Sequence, residues 1–158
     1  MDAIIRKAHK DDCPSILALI KELAVFERQP DAVIIDENDI LEQAFSDNPL
    51  IFIYVAEVKH QVVGMALYYF NFSTWKGRSI HLEDLIVQKE HRHQGIGKAL
   101  MAKVIEIAEV ENAGRMSWEV LEWNEPAIRF YESLGTTFYK DWHLCRLFRE
   151  DIKRIQEN

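Results

Sequence analysis

Several things are scarce in this chain of 158 residues. It has two cysteines, six glycines and four prolines. Cys13 and Cys145 are far apart and show no metal-ligand spacing, so neither a disulfide framework nor a metal site is indicated. Basic charge is short as well: 19 Lys and Arg against 26 Asp and Glu leave a formal net charge of −7. That argues against a general nucleic-acid binder, which needs a basic face. It suits a cationic ligand, drawn in by an acidic site. No apolar run nears the ~20 residues that cross a bilayer, and MDAIIRKAHK lacks the basic-then-apolar order of a signal peptide. A cytoplasmic protein with reduced thiols and no membrane association is expected. Nearly half the residues (48%) are hydrophobic, which excludes an intrinsically disordered chain. With no repeat or linker in view, a single domain over 1–158 is expected.

The apolar pattern changes period along the chain. AIIRKA reads as a first strand. Asp11 or Asp12 can cap a helix through SILALIKELAVFER, where Ile16, Leu19, Ile20 and Leu23 recur at helical spacing. Asp36 starts a second, shorter helix that ends before Asn48-Pro49. LIFIYVAEV and QVVGMALYYFNF are rich in β-branched and aromatic residues and are separated only by Lys59 and His60, which predicts an antiparallel hairpin. SIHLEDLIV is a third strand of this group. Gly95 to Val110 has the pattern of an amphipathic helix, Arg115–Leu121 that of a strand, and Pro126 opens a helix that Gly135 closes. TTFYK and WHLCRLF predict a last hairpin before a polar helical tail. The order β-α-α-β-β-β-α-β-α-β-β predicts an α/β (α+β) fold, with a mixed, mostly antiparallel sheet flanked by helices.

Two of the few glycines fall in HRHQGIGKAL, between a strand and a helix. The first amides of a helix have no internal partners, and the helix dipole makes that end attractive to anions. Glycine lets a bulky phosphate approach the backbone closely. The layout is that of a pyrophosphate cradle, with Arg92 and Lys98 available to neutralise charge. It lacks the G-x-G-x-x-G of a Rossmann site and the G-K-[ST] of a P-loop.

Arg92-x-x-Gly95-x-Gly97 instead resembles the R-x-x-G-x-G/A signature of the GNAT family of acetyl-CoA-dependent N-acetyltransferases. The element order matches that fold, and the signature falls between its fourth strand and third helix. LIKELAVFE, ALYYFNFSTWKGRSIHLEDLIV, GIG, WNEPAIRFYESLG and DWHLCRLF resemble the spermidine/spermine and thialysine N-ε-acetyltransferase branch.

The resemblance assigns roles. Acetyl-CoA would be the co-substrate, with no metal. Its pyrophosphate would lie on the loop Arg92, His93, Gln94, Gly95, Ile96, Gly97 and Lys98. Its pantetheine arm would pair like a strand with Leu85, Ile86 and Val87, with the Leu85 or Ile86 amide serving the carbonyl oxygen. Asn124 would hydrogen-bond the coenzyme and can also cap the following helix. Tyr131, in NEPAIRFY, would protonate the departing thiolate. An ordinary phenol (~10) holds its proton more tightly than a thiol (~8.5). Glu83 would accept the amine's proton through a water, and Asp84 would recognise the substrate's charge. Because neighbours on a strand point to opposite faces, at most one of these two carboxylates is expected to face a given site. Phe26, Glu27, Trp75 and Trp142 would line the amine pocket.

The match has departures. Relatives often carry Tyr-Arg-Gly where this chain has His91-Arg92-His93. Polyamine-preferring members carry an acidic residue where this chain has Ser73, so a smaller thialysine- or lysine-like amine, or a short diamine, fits better than a long polyamine. The enzyme expected is an acetyl-CoA-dependent amine N-acetyltransferase working by direct transfer in a ternary complex, and a homodimer, with Trp142–Phe148 contributing to the interface. The alternatives are a protein or peptide N-acetyltransferase, and a non-catalytic acyl-CoA-binding module that would need neither Tyr131 nor Glu83.

Overall fold

The computed structural model describes residues 3–157. These group into two compact units that meet at Glu119 and Val120.

The first unit is built on one five-stranded sheet, with strands β1 (Ile4–Lys7), β2 (Phe52–Val58), β3 (Gln61–Ser73), β4 (Gly77–Val87) and β5 (Arg115–Ser117) in that spatial order. The first four are antiparallel; β5 joins β4 in parallel. The β2–β3 hairpin closes through Lys59 and His60, both with positive φ (50° and 63°). That is the backbone a two-residue hairpin of the favoured hand demands, adopted here without glycine.

Side chains of alternate strand residues split between two faces. Ile53, Val55, Met65, Leu67 and Ile86 pack with Cys13, Ile16, Leu17 and Leu19 of α1 (Cys13–Phe26) and Ile40 of α2 (Glu37–Phe45). Helix α3 (Ile96–Val110) lies on β2, β3 and β4. It buries Leu100, Met101 and Val104 and sets the Lys103 ammonium 5.6 Å from the Tyr54 ring. Each fully buried side chain of this size contributes roughly 1.5–3 kcal/mol.

Helix starts follow the sequence with one exchange of roles. Asp36 caps α2, accepting from the Asn38 and Asp39 amides while the Asp39 carboxylate accepts from the Asp36 amide. Asp12 holds the N-cap position of α1, but its carboxylate is spent elsewhere. It takes two hydrogen bonds from Arg6, at 2.7 and 3.0 Å, and one from the His9 amide. Arg6 holds that carboxyl below the usual carboxylate range and also reaches Glu57 at 2.7 Å. The ion cluster ties β1, β2 and the start of α1 together.

The second unit contains α4 (Glu125–Ser133) and α5 (Arg149–Gln156). Asn124 caps α4 through the Ala127 amide, and Gly135, at φ 77°, ends it. Two expectations need correction here. The strand expected over Arg115–Leu121 stops at Ser117, and the final hairpin does not form: residues 136–148 hold no strand. Tyr139, Trp142, Leu144, Leu147 and Phe148 of that segment are 59–74% exposed. An isolated two-stranded ribbon is marginal without a covering layer.

Candidate active site

The turn into α3 is the clearest piece of local geometry. Gly95 is its N-cap, at φ 81°, and no side chain caps the helix. The first intrahelical bond runs from the Ala99 amide to the Gly95 carbonyl, leaving the Ile96, Gly97 and Lys98 amides at the mouth. A Cβ on Gly95 would touch nothing, so backbone conformation alone requires glycine there. A Cβ on Gly97 would make only ordinary contact with Val87, at 3.8 Å, so nothing in the protein demands glycine at that point. His93 takes φ 62°, so the loop holds a left-handed residue at that position without glycine.

Arg92 has a structural task. Its Nε donates to the Val87 carbonyl at 2.9 Å, its guanidinium stands 5.3 Å from the Phe26 ring centre, and Glu22 approaches at 3.9 Å. Glu22 also accepts from the Lys89 amide. Gln94 donates to the Glu90 carbonyl; Ile96 is buried, while His93 and Lys98 are exposed. The loop is therefore fastened to α1 and to the end of β4, its amides pointing to a region free of side-chain caps.

Beside this turn one edge of β4 has no strand partner beyond His81 among the described residues. Its pairing with β5 covers only Ser79–His81, whereas β4 continues to Val87. The Gln88 amide bonds the Val63 carbonyl. By the two-residue alternation of an antiparallel ladder, Ile86 also turns its backbone groups to β3, while Leu85 and Val87 turn theirs to the open edge. Of the two amides considered for the carbonyl oxygen, Leu85 has the free direction.

A bulge sits at the centre of β4. Leu82 faces Tyr68 and Asp84 faces Leu67, so Glu83 is an extra residue without a partner on β3. A bulge re-aims side chains. It removes the alternation that was expected to send Glu83 and Asp84 to opposite faces. Asp84 follows Leu67 to the α1 side. Glu83 lies 3.5 Å from His81, and His81 stacks beside Tyr69 with ring centres 5.0 Å apart. Burial, then the charges of Glu83 and Glu27, push the Asp84 carboxyl up to about 7. Burial, then the charges of Glu83 and Glu119, also raise the Tyr69 phenol. Glu27, Glu83, Asp84 and Glu119 thus act on one region of strong negative potential.

His81, Tyr69, Ser117 and Glu119 were not singled out from sequence. The available signal was His81, two residues before Glu83 on the same strand.

The remaining predicted positions are more dispersed. Phe26 and Glu27 end α1, while Trp75 stands 84% exposed in the β3–β4 turn. Ser73 is buried, its hydroxyl accepting from the Trp75 and Lys76 amides. In the second unit Trp142 is 74% exposed. Tyr131 is buried beside Phe130, and burial pushes its phenol up to about 12. It therefore holds its proton throughout the neutral range.

An open strand edge, a helix mouth suited to anions and a ring of carboxylates are the parts expected of an enzyme that moves an acyl group onto an amine. The acetyltransferase (GNAT) family model matches residues 1–136, and the chain belongs to that family of acetyltransferases. Thialysine N-epsilon-acetyltransferase from Bos taurus is 39% identical over 163 aligned residues, covering 96% of each chain. The L-ornithine N5-acetyltransferase of Arabidopsis thaliana is 25% identical, covering 97% of this chain and 87% of that protein. Among solved structures, an integron cassette protein from the mobile metagenome of V. cholerae superposes with a TM-score of 0.81, at 24% identity, over 100% of this chain and 99% of that one. It shows the same fold. No described helix is long and apolar enough to cross a membrane, and no group of three His, Cys, Asp or Glu among the described residues could hold a metal ion.

Proposed function

We propose that this chain transfers the acetyl group of acetyl-CoA directly to a primary amine of a small cationic metabolite, of the thialysine, lysine or short-diamine kind. The observation that carries the proposal is the free edge of β4 from Leu82 to Val87, running beside the uncapped mouth of α3. That pair of features suits a ligand with an extended amide-bearing arm and a diphosphate. Two further points support the substrate class: the carboxylates of Glu27, Glu83 and Asp84, and 39% identity to an enzyme named for thialysine.

Each residue has a defined task in this reading. The Ile96, Gly97 and Lys98 amides receive phosphate oxygens, with the Lys98 ammonium beside them. The Leu85 amide donates to the thioester carbonyl as charge gathers on its oxygen. Asp84 and Glu27 hold the cationic amine. Glu83 takes the ammonium proton through a water, freeing the nitrogen lone pair to attack the carbonyl carbon. The carbon–sulfur bond breaks, Tyr131 gives its proton to the sulfur, and the surplus proton on the new amide nitrogen leaves to solvent, from which the phenol is restored. Asn124 serves the coenzyme as well as its helix; Phe26, Trp75 and Trp142 give the amine apolar walls.

A homodimer completes the proposal. Trp142, Leu144, Leu147 and Phe148 are all more than half exposed, which gives a second copy an apolar strip to cover. Sedimentation should show twice the mass of the chain, reduced to one copy by Leu147→Glu.

The direct test is release of free thiol from acetyl-CoA on adding thialysine. Turnover that requires both compounds, and that falls at least ~10²-fold in Glu83→Gln, supports the reading. Failure to bind acetyl-CoA would end it.

A further inference from the structure

The relationship among Ser117, His81 and Glu83 goes beyond the roles above. His81 Nδ1 lies 3.3 Å from the Ser117 hydroxyl, and its Nε2 lies 3.5 Å from a Glu83 carboxylate oxygen. The ring is mostly enclosed, its side chain 19% exposed, while that of Glu83 is 51% exposed. Tyr69 packs along the imidazole, and the Glu83 charge acts on its phenol. Glu83 is the extra residue of a bulge and has no register partner on β3. A half-exposed carboxylate on a bulge has rotamer freedom that a proton acceptor must lose, and the His81 ring beside it is placed to limit that freedom.

We propose that His81 is a positioning residue: it anchors the Glu83 carboxylate for proton abstraction while neutral, and weakens Glu83 as a base once protonated. The proposal rests on the reading of Glu83 as the base.

The chemistry assigns the tautomer. An ionised carboxylate only accepts, so the nitrogen facing Glu83 must carry the proton. In a neutral ring Nδ1 is then an acceptor, and the Ser117 hydroxyl donates to it. Taking up a second proton, at Nδ1, requires only that the Ser117 hydroxyl rotate and accept. The imidazolium then forms an ion pair with Glu83, lowering its affinity for the amine's proton. Among neutral side chains, histidine alone ordinarily switches charge between pH 5 and 8. Other groups bear on this pair: Tyr69 on β3, Asp84 on β4, Glu27 after α1, and Ser117 and Glu119 at β5. The wild-type and variant enzymes share all of these, together with the ionisation of the substrate amine, so a ratio of the two isolates His81.

Steady-state kinetics with acetyl-CoA and thialysine test the proposal from pH 5.5 to 9. His81→Ala should lower kcat about tenfold with KM for acetyl-CoA unchanged. His81→Gln, which keeps an N–H donor but cannot titrate, should recover most of that loss at pH 9. The ratio of wild-type to His81→Gln kcat/KM should fall at least fivefold as pH drops from 9 to 5.5. A flat ratio overturns the proposal. Glu83→Gln separates the two readings: if it retains wild-type turnover, the base assignment fails and His81 has nothing to position. If it loses turnover while the ratio is flat, only the His81 proposal fails. Should His81→Gln not fold, NMR of labelled histidine in the otherwise intact chain decides. The His81 ring, assigned through contacts to Tyr69, should carry its proton on Nε2 at pH 9; the Nδ1–H tautomer overturns the proposal.

Discussion

Asp84 stands opposite Leu67 in the β3–β4 ladder, on the face that packs against α1, where a carboxylate meets burial before it meets a partner. Its pKa of about 7 results first from that burial and then from Glu83 and Glu27. An acid whose folded pKa lies above its ordinary value binds more protons folded than unfolded. Stability therefore falls as pH rises from about 4 through 7. Asp84→Asn should match wild type near pH 4 and exceed it by a few kcal/mol at pH 8, the scale of a shift of several pKa units. Urea unfolding at both pH values checks this, with equal stabilities at pH 8 counting against it.

The same carboxyl should report on the amine. A cation bound beside Asp84 favours the ionised form, so thialysine binding near pH 6.5 should release part of a proton. Calorimetry in two buffers of different ionisation enthalpy measures that release directly. Asp84→Asn should abolish it and weaken binding on the order of tenfold, as expected for loss of a charged hydrogen-bonding partner.

The glycine turn separates conformational need from open space. Gly95→Ala should cost ~1–2 kcal/mol, because φ 81° is unfavourable for a residue with a Cβ. Gly97→Ala should gain up to ~1 kcal/mol through helix propensity, since its Cβ meets only Val87. His93→Gly should relieve the left-handed strain at φ 62° and change stability by less than ~1 kcal/mol in the favourable direction. Thermal unfolding of the three variants gives the order.

Tyr131 holds its proton well above neutral pH. If it is the acid for the thiolate, Tyr131→Phe should lower kcat by ~10²-fold or more while acetyl-CoA affinity stays near wild type. Turnover within twofold of wild type would remove Tyr131 from the mechanism. The Phe substitution keeps the buried ring, and the thermal midpoint of the variant separates lost turnover from lost fold.

Much of this was written in local sequence. Helical spacing of Ile16 and Leu19, Asp36 before α2, Asn124 before α4 and the pair Lys59-His60 all act over a few residues, and each formed where expected. The family signature and the placement of Gly95 were legible for the same reason. The final hairpin was not. Alternating apolar residues in 136–148 describe a strand only if something covers it, and local pattern cannot supply a neighbour.

Sequence by itself determined the order of elements as far as α4, the two helix caps, the glycine mouth of α3 and the inventory of carboxylates, because those depend on chain-local sterics and charge. Only the tertiary structure decided that Glu83 is a bulge, that Asp84 turns under α1 and that His81, Tyr69 and Ser117 gather around the base. Register between strands is a long-range choice: one unpaired residue reverses the facing of every side chain after it, and no window of sequence along β4 alone contains that information.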